Sequence, residues 1–135
     1  MTPRYMLDTN MCIYIAKRRP AQVKARFDRL RPGQVVMSAI TYGELSYGVR
    51  KSGQRAQAAA QLDELVHEIP VEGLDSRAAE AYGEIRAMLE TQGRVIGNND
   101  LWIGAHALAL DLILATNNER EFKLIPGLLV ENWAT

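Results

Sequence analysis

A single cysteine, Cys12, excludes an internal disulfide, so nothing covalent staples the fold. Disulfide-framed secreted scaffolds are thereby excluded, and a reducing cytoplasm is the expected location. Long hydrophobic runs are missing as well: no apolar stretch approaches the roughly 20 residues that span a bilayer. The opening Met1-Thr2-Pro3-Arg4 lacks the pattern of a signal peptide. Charge of one sign is not in excess, with 16 Lys and Arg against 16 Asp and Glu. A strongly cationic nucleic-acid binder is excluded by that balance, but a nucleic-acid partner is not. Repeats, low-complexity tracts and linkers are absent, and 135 residues read as one domain, 1–135.

What is present is an ordinary globular composition, 47% hydrophobic and 24% charged, long enough to bury one core. The charge is unevenly spread. Lys17, Arg18, Arg19, Lys24, Arg26, Arg29 and Arg31 face only Asp28 in their stretch, whereas acidic residues gather between Asp63 and Glu90. Any basic surface is therefore regional.

Short apolar runs alternate with helical patterns. Tyr5-Met6-Leu7, Val35-Val36-Met37, Leu112 to Ala115 and Leu128-Leu129-Val130 read as strands. Helices are expected at 10–17, from Pro20 with Val23, Phe27 and Leu30 on one side, at 39–51 capped by Ser38, and at 54–67. Two more are expected from Asp75 or Ser76 to about Gln92, ended by Gly93, and from Asp100 to Leu110, capped by Asn98-Asn99. Glu68 to Val71 is a short extended piece whose Pro70 forbids a central ladder position. Thr116 to Phe122 is a polar turn or short helix. This order predicts an α/β fold with a mainly parallel twisted sheet, its strands apolar because helices cover both faces. Sites in such sheets lie outside the carboxyl ends of the strands.

Three acids stand out in that frame. Asp8 ends the first strand and fits either a helix N-cap or a ligand. Glu44 borders an apolar stripe through Ile40 and Leu45, and is either a solvated edge residue or turned inward. Asp100 opens a helix that is apolar nearly all round and should be buried; it serves the helix N-terminus or a second role. If the three converge, their repulsion raises their pKa values, and a bound divalent cation relieves it. Mg²⁺ prefers such oxygen ligands, and it activates water and stabilises phosphoryl charge, the chemistry of phosphodiester hydrolysis. The segment from Thr116 to Phe122 falls on the same side and offers Thr116, Asn118, Glu119 and Glu121, with an ordinary capped helix start as the alternative.

At these residues the sequence resembles the PIN-domain family, in its branch of VapC toxins. The resemblance rests on Met6-Leu7-Asp8-Thr9-Asn10, on Ile40-Thr41-Tyr42-Gly43-Glu44-Leu45 with Gly48, and on Ile96 to Ala107 around Asn99-Asp100-Leu101. It continues through Thr116-Asn117-Asn118 with Glu121-Phe122, Pro126-Gly127-Leu128 and Glu131-Asn132-Trp133, almost the whole chain in family order. It implies a PIN-like three-layer fold and an endoribonuclease using Mg²⁺, with Mn²⁺ able to substitute. Asp8, Glu44 and Asp100 match the family's acidic metal site, and Asn10 and Thr116 match polar residues that support it. The fourth acidic position departs from the wider pattern: either Asn118 or Glu121 fills it, with Glu121 counted among the catalytic acids. The resemblance further implies cleavage of structured RNA such as tRNA or rRNA at loops, a VapB-type antitoxin, and a homodimer. The complex with antitoxin would bind operator DNA through the antitoxin.

Lys17, Arg18, Arg19 and Lys24 are candidate phosphate contacts, because they closely follow the first strand; a solvated helix face is the alternative. Tyr42, Tyr47 and Val49 suit a dimer or antitoxin surface, or core packing. His67, His106 and Cys12 read as structural. Two rival classes remain. An aspartyl-phosphate phosphatase would carry a second Asp where Asn10 stands, and a degenerate domain that only binds would not need the three acids.

Overall fold

The structure is a computed structural model that describes residues 2–135. The elements run β1 (Tyr5–Leu7), α1 (Thr9–Lys17), α2 (Ala21–Asp28), β2 (Val35–Ser38), α3 (Ala39–Lys51) and α4 (Arg55–Glu68). They continue with β3 (Val71–Glu72), α5 (Ser76–Thr91), α6 (Asn98–Ala109), β4 (Ile113–Ala115), α7 (Glu119–Phe122) and β5 (Val130–Glu131).

The five strands form one sheet in the order β3-β2-β1-β4-β5, and every pairing is parallel. The expected mainly parallel sheet is thus wholly parallel among the described residues. Successive strand residues point to opposite faces, so each strand feeds two cores. Met6, Val36 and Leu114 pack with Ile85, Leu89 and Ile103 of α5 and α6. Tyr5, Leu7, Val35 and Met37 pack with Met11 of α1, Val23 of α2 and Leu65 of α4. Helices therefore cover both faces, which is why the strand segments are apolar without alternation.

Two boundaries differ from the sequence reading. Helix α6 begins at Asn98, and its cap is Gly97, which offers no side chain; the expected Asn98-Asn99 cap lies inside the helix. The last strand falls at 130–131 rather than 128–130. Pro70 stands just ahead of the edge strand β3 and accepts the Met37 N–H through its carbonyl at 2.9 Å, a role that needs no donor.

The parallel sheet gives the molecule two unlike rims. Asp8, Ser38 and Thr116 all directly follow or end strands, on the carboxyl rim. Helix α1 starts there and runs about 13 Å back along the sheet at its rise per residue, so Lys17, Arg18 and Arg19 stand at the far rim.

Candidate metal centre

Asp8 is both of the things its position allowed. Its Oδ1 accepts the Met11 N–H at 2.9 Å and caps α1, while its Oδ2 accepts the Thr116 hydroxyl at 2.5 Å. The register Leu7↔Ala115 places these two residues side by side at the ends of β1 and β4. Thr116 is itself fixed, since its hydroxyl accepts the Asn118 N–H at 2.8 Å. Burial pushes the Asp8 carboxyl above its ordinary range; the Thr116 and Met11 hydrogen bonds pull it down and the Glu44 charge pushes it up.

Glu44 is half-buried on α3 and turned toward Asp8 rather than outward. The Thr9 hydroxyl donates to its Oε1 at 2.5 Å. Thr41 Oγ1 lies 3.2 Å from the same Thr9 hydroxyl and is buried between α1 and α3. Asp100, in the first turn of α6, is pushed up to about 6. Burial is the largest cause, followed by the charges of Glu121, Asp8 and Glu44, with the Asn118 side chain acting in the opposite sense. Four carboxylates thus share one region, and none has a basic side chain to neutralise it: no ion pair among the described residues involves them.

Glu121 and Asn118 divide the fourth position between them. Glu121 Oε1 accepts the Gly97 N–H at 2.7 Å, and its Oε2 accepts the Asn118 side-chain amide at 2.7 Å. This carboxylate accepts the N–H of the cap residue itself, the donor that the third residue of a capping box would otherwise serve. Asn10 donates to Asn117 at 3.4 Å, and Asn117 donates to the Tyr14 hydroxyl at 2.9 Å, a polar strip beside the acids rather than a contact with them.

Glu44 and Asp100 border an open trough. One part is lined by Glu44, Gly97, Asn98, Asn99 and Asp100, and its continuation by Thr9, Gly43, Glu44, Tyr47 and Asn99. A separate hollow is lined by Val95, Asn118, Arg120, Glu121 and Leu124. The basic candidates are elsewhere. Lys17, Arg18 and Arg19 are exposed at the far rim, and Lys24 is paired with Asp28 at 2.5 Å. Arg18 and Lys24 line a separate cleft between α1, α2 and α4 with Ile15, Phe27 and Gln61. Sequence reasoning missed Thr9, Thr41 and the Gly97 backbone, because each enters the site through contacts between distant segments. It also missed Arg120, which lines the hollow beside Glu121 and has no ion-pair partner among the described residues.

Would a metal fit? The donors gathered here are carboxylate, hydroxyl and amide oxygens, the set that a hard divalent cation takes. Cys12 is buried under β1 and His106 is bonded elsewhere, so no soft donor competes. Among the described residues no three acidic, histidine or cysteine side chains are drawn close enough to form a ready-made cage. Mg²⁺ keeps several waters and needs few direct ligands, so a ready-made cage is not a requirement for it. The donor chemistry therefore fits.

A pH dependence follows. Ligation requires the ionised carboxylate, and Asp100 without metal holds its proton until about pH 6. Mn²⁺ affinity, measured by calorimetry, is expected to be level above pH 7 and to fall below pH 6, approaching about tenfold per unit for one competing proton. An affinity unchanged between pH 7 and pH 5 would contradict this.

The family model of the PIN domain matches residues 5–128. The chain belongs to the PIN-domain family. Curated relatives of similar length agree. The chain is 42% identical to the tRNA(fMet)-specific endonuclease VapC of Shigella flexneri, over 97% of this chain and 98% of that protein. It is 40% identical to ribonuclease VapC2 of Rickettsia felis, over 96% of this chain and 97% of that one. Among solved structures, the DNA-bound VapBC of Salmonella typhimurium superposes with a TM-score of 0.91 at 37% identity, covering 98% of this chain and 99% of that one. The three-layer PIN-like fold expected from the motifs is the fold observed. Among the described residues no helix is long and apolar enough to cross a membrane.

Proposed function

We propose that this PIN-domain chain is a metal-dependent endoribonuclease toxin that hydrolyses phosphodiester bonds in structured RNA, at tRNA or rRNA loops. One observation carries this reading: four carboxylates without counter-charges, Asp8, Glu44, Asp100 and Glu121, lie within reach of one another's charge at the carboxyl rim of a parallel sheet, and Glu44 and Asp100 line an open trough there. An open trough suits a polymer better than a small ligand, and loops present the accessible, unstacked bases.

Asp8, Asp100 and Glu44 would hold Mg²⁺, for which Mn²⁺ substitutes. The ion supplies Lewis acidity toward a phosphoryl oxygen and a lowered pKa for bound water. The chain's own residues orient the parts. Thr116 holds Asp8 Oδ2, and Thr9 holds Glu44 Oε1, leaving the other Glu44 oxygen without a partner among the described residues and available to a water's proton. Glu121 and Asn118 keep the head of α6 in place. Phosphates on either side of the cut need cations. Arg120 lines the hollow beside Glu121, whereas Lys17, Arg18, Arg19 and Lys24 would meet RNA only about a helix length away.

In the cytoplasm, a VapB-type antitoxin would neutralise the toxin, which acts as a homodimer, and the antitoxin would carry the complex to operator DNA. Tyr42 and Tyr47, both exposed on α3, are candidates for these contacts.

The test is cleavage of total RNA in Mg²⁺ and in EDTA. Discrete fragments are expected with the metal and none with the chelator. Cleavage that survives EDTA overturns the proposal, as does intact RNA in both Mg²⁺ and Mn²⁺. In the same RNA, Arg120→Ala should weaken binding and lower the logarithmic salt slope by about 0.7–0.9, the share of one phosphate contact.

A further inference from the structure

His106 belongs to no part of the trough, yet it is the most unusual polar side chain in the protein. It is 1% exposed, deep in α6, among Ile103, Ala105 and Ala107. Its Nδ1 lies 2.8 Å from the Ser38 hydroxyl. Its Nε2 is closed to solvent and has no hydrogen-bond partner among the described residues. A histidine that served only to fill space could be replaced by an apolar residue, without the desolvation that a buried polar atom costs.

Ser38 explains what the imidazole does. Its Oγ accepts the Ile40 N–H at 3.1 Å and caps α3. A hydroxyl carries one proton, and with that lone pair engaged, the proton is free to go to His106 Nδ1. Nε2 then carries the ring proton, with the Gly73 backbone, in the loop between β3 and α5, near the ring. Burial holds the imidazole below its ordinary range, against the Glu72 and Asp75 charges and the Gly73 carbonyl, which pull it up. The neutral ring keeps Nδ1 as the acceptor this chain of bonds requires.

The geometry has a second part. Ser38 meets His106, and Glu44 lies toward Asp100. The two pairs lie six residues apart on each side, from Ser38, the N-cap of α3, to Glu44 and from Asp100 to His106 on α6. The helices therefore run antiparallel over about 9 Å, with a buried polar link at one end and two acids at the other.

We propose that His106 is a positioning residue for the acidic centre: its bond to Ser38 pins the start of α3 to α6 and thereby sets the spacing of Glu44 and Asp100. This rests on the metal-binding reading above. It assigns His106 no contact with metal or RNA.

Two substitutions separate the idea from simple core packing. Asparagine can place an amide oxygen where Nδ1 stands and restore the Ser38 bond; glutamine reaches the Nε2 side and cannot. Mn²⁺ affinity would be measured by calorimetry, alongside the Tm of each metal-free variant. His106→Asn should stay within about twofold of the parent, while His106→Gln and His106→Leu should bind Mn²⁺ about tenfold more weakly, the scale of losing an outer partner of a ligand. Ser38→Ala should cause a similar loss and add little to His106→Leu in the double variant. Affinities that follow the Tm values, irrespective of which atom is restored, overturn the proposal. So does a His106→Leu protein that binds Mn²⁺ as the parent does while Asp100→Asn does not; that result spares the metal reading. A parent protein that binds no Mn²⁺ ends both.

Discussion

Asp100→Asn is expected to raise the Tm of the metal-free protein at pH 7 while abolishing RNA cleavage. The stability gain follows from the carboxyl's titration. In the unfolded chain its proton leaves near 3.8, and in the fold only near 6. The folded state therefore binds more protons between those values, and metal-free stability falls as the pH rises from 3.8 through 6. Above 6 the penalty is complete. The shift of roughly 2 units has a ceiling of about 3 kcal/mol. Partial exposure screens it to about 1–2 kcal/mol, or several degrees in Tm for a domain of this size. Asparagine carries no charge and escapes the penalty. The activity loss follows from the same carboxylate. A metal held in position is worth several kcal/mol to the transition state, so removing a ligand should cost about 10³-fold or more in rate. Mn²⁺ should then raise the parent's Tm and leave the variant's unchanged, since only a state that binds the ion is stabilised by it. Thermal scans at pH 7 with and without Mn²⁺, beside a cleavage assay, check both halves. A variant less stable than the metal-free parent would show that burial and the neighbouring acids do not penalise the Asp100 charge.

Phe122→Ala is expected to have the largest effect on stability. Phe122 is fully buried at the end of α7, in the core shared with Ile103, Leu114 and Ile125. Gly104 of α6 lies against it, so close that an added Cβ would sit 3.3 Å from Phe122 Cδ1 and crowd Ile125. Truncating a buried phenylalanine costs about 3–5 kcal/mol through lost transfer energy and the cavity left behind. That is a Tm drop of roughly 10–20 °C. The site should suffer too. Helix α7 has four residues, too short to hold its place without this anchor. Glu121 and its bonds to Gly97 and Asn118 depend on it. Well below the variant's Tm, cleavage should therefore still fall by about tenfold, the scale for losing a support of metal ligands. A loss under about 1 kcal/mol by urea denaturation would mean that Ile125 and its neighbours close the cavity.

Most of the architecture was legible because it depends on local patterns. The apolar triplet ending in Asp8 marks a strand buried on both faces and the rim that follows it. Ser38 and Asp75 mark helix starts, and both cap their helices as expected. The apolar sequence of α6 marks its burial, with Trp102 half-exposed only because it stacks on Tyr82 at 3.8 Å. The rest needed contacts between segments far apart in the chain. Nothing near Glu44 announces that Thr9 will hold it. Nothing near Gly97 announces that its amide is served by Glu121. The basic run that follows β1 invited a phosphate-binding role by proximity in sequence. A parallel strand followed by a helix reverses that inference, because the helix carries its last turn to the opposite rim.

The pairing of β1 with β4 also acts as a gauge. Leu7 stands opposite Ala115, so Asp8 and Thr116 are the next rung, where the ladder runs out. A strand's side chains alternate between faces, so a slip of one residue would turn Thr116 away from Asp8 even if every backbone bond re-formed. A single-residue insertion or deletion within β4 would then spare the sheet and cost the site its partner for Asp8 Oδ2. Changes of length should be tolerated in exposed connections beyond the rungs, such as Ser52 to Gln54 between α3 and α4, before they are tolerated inside them.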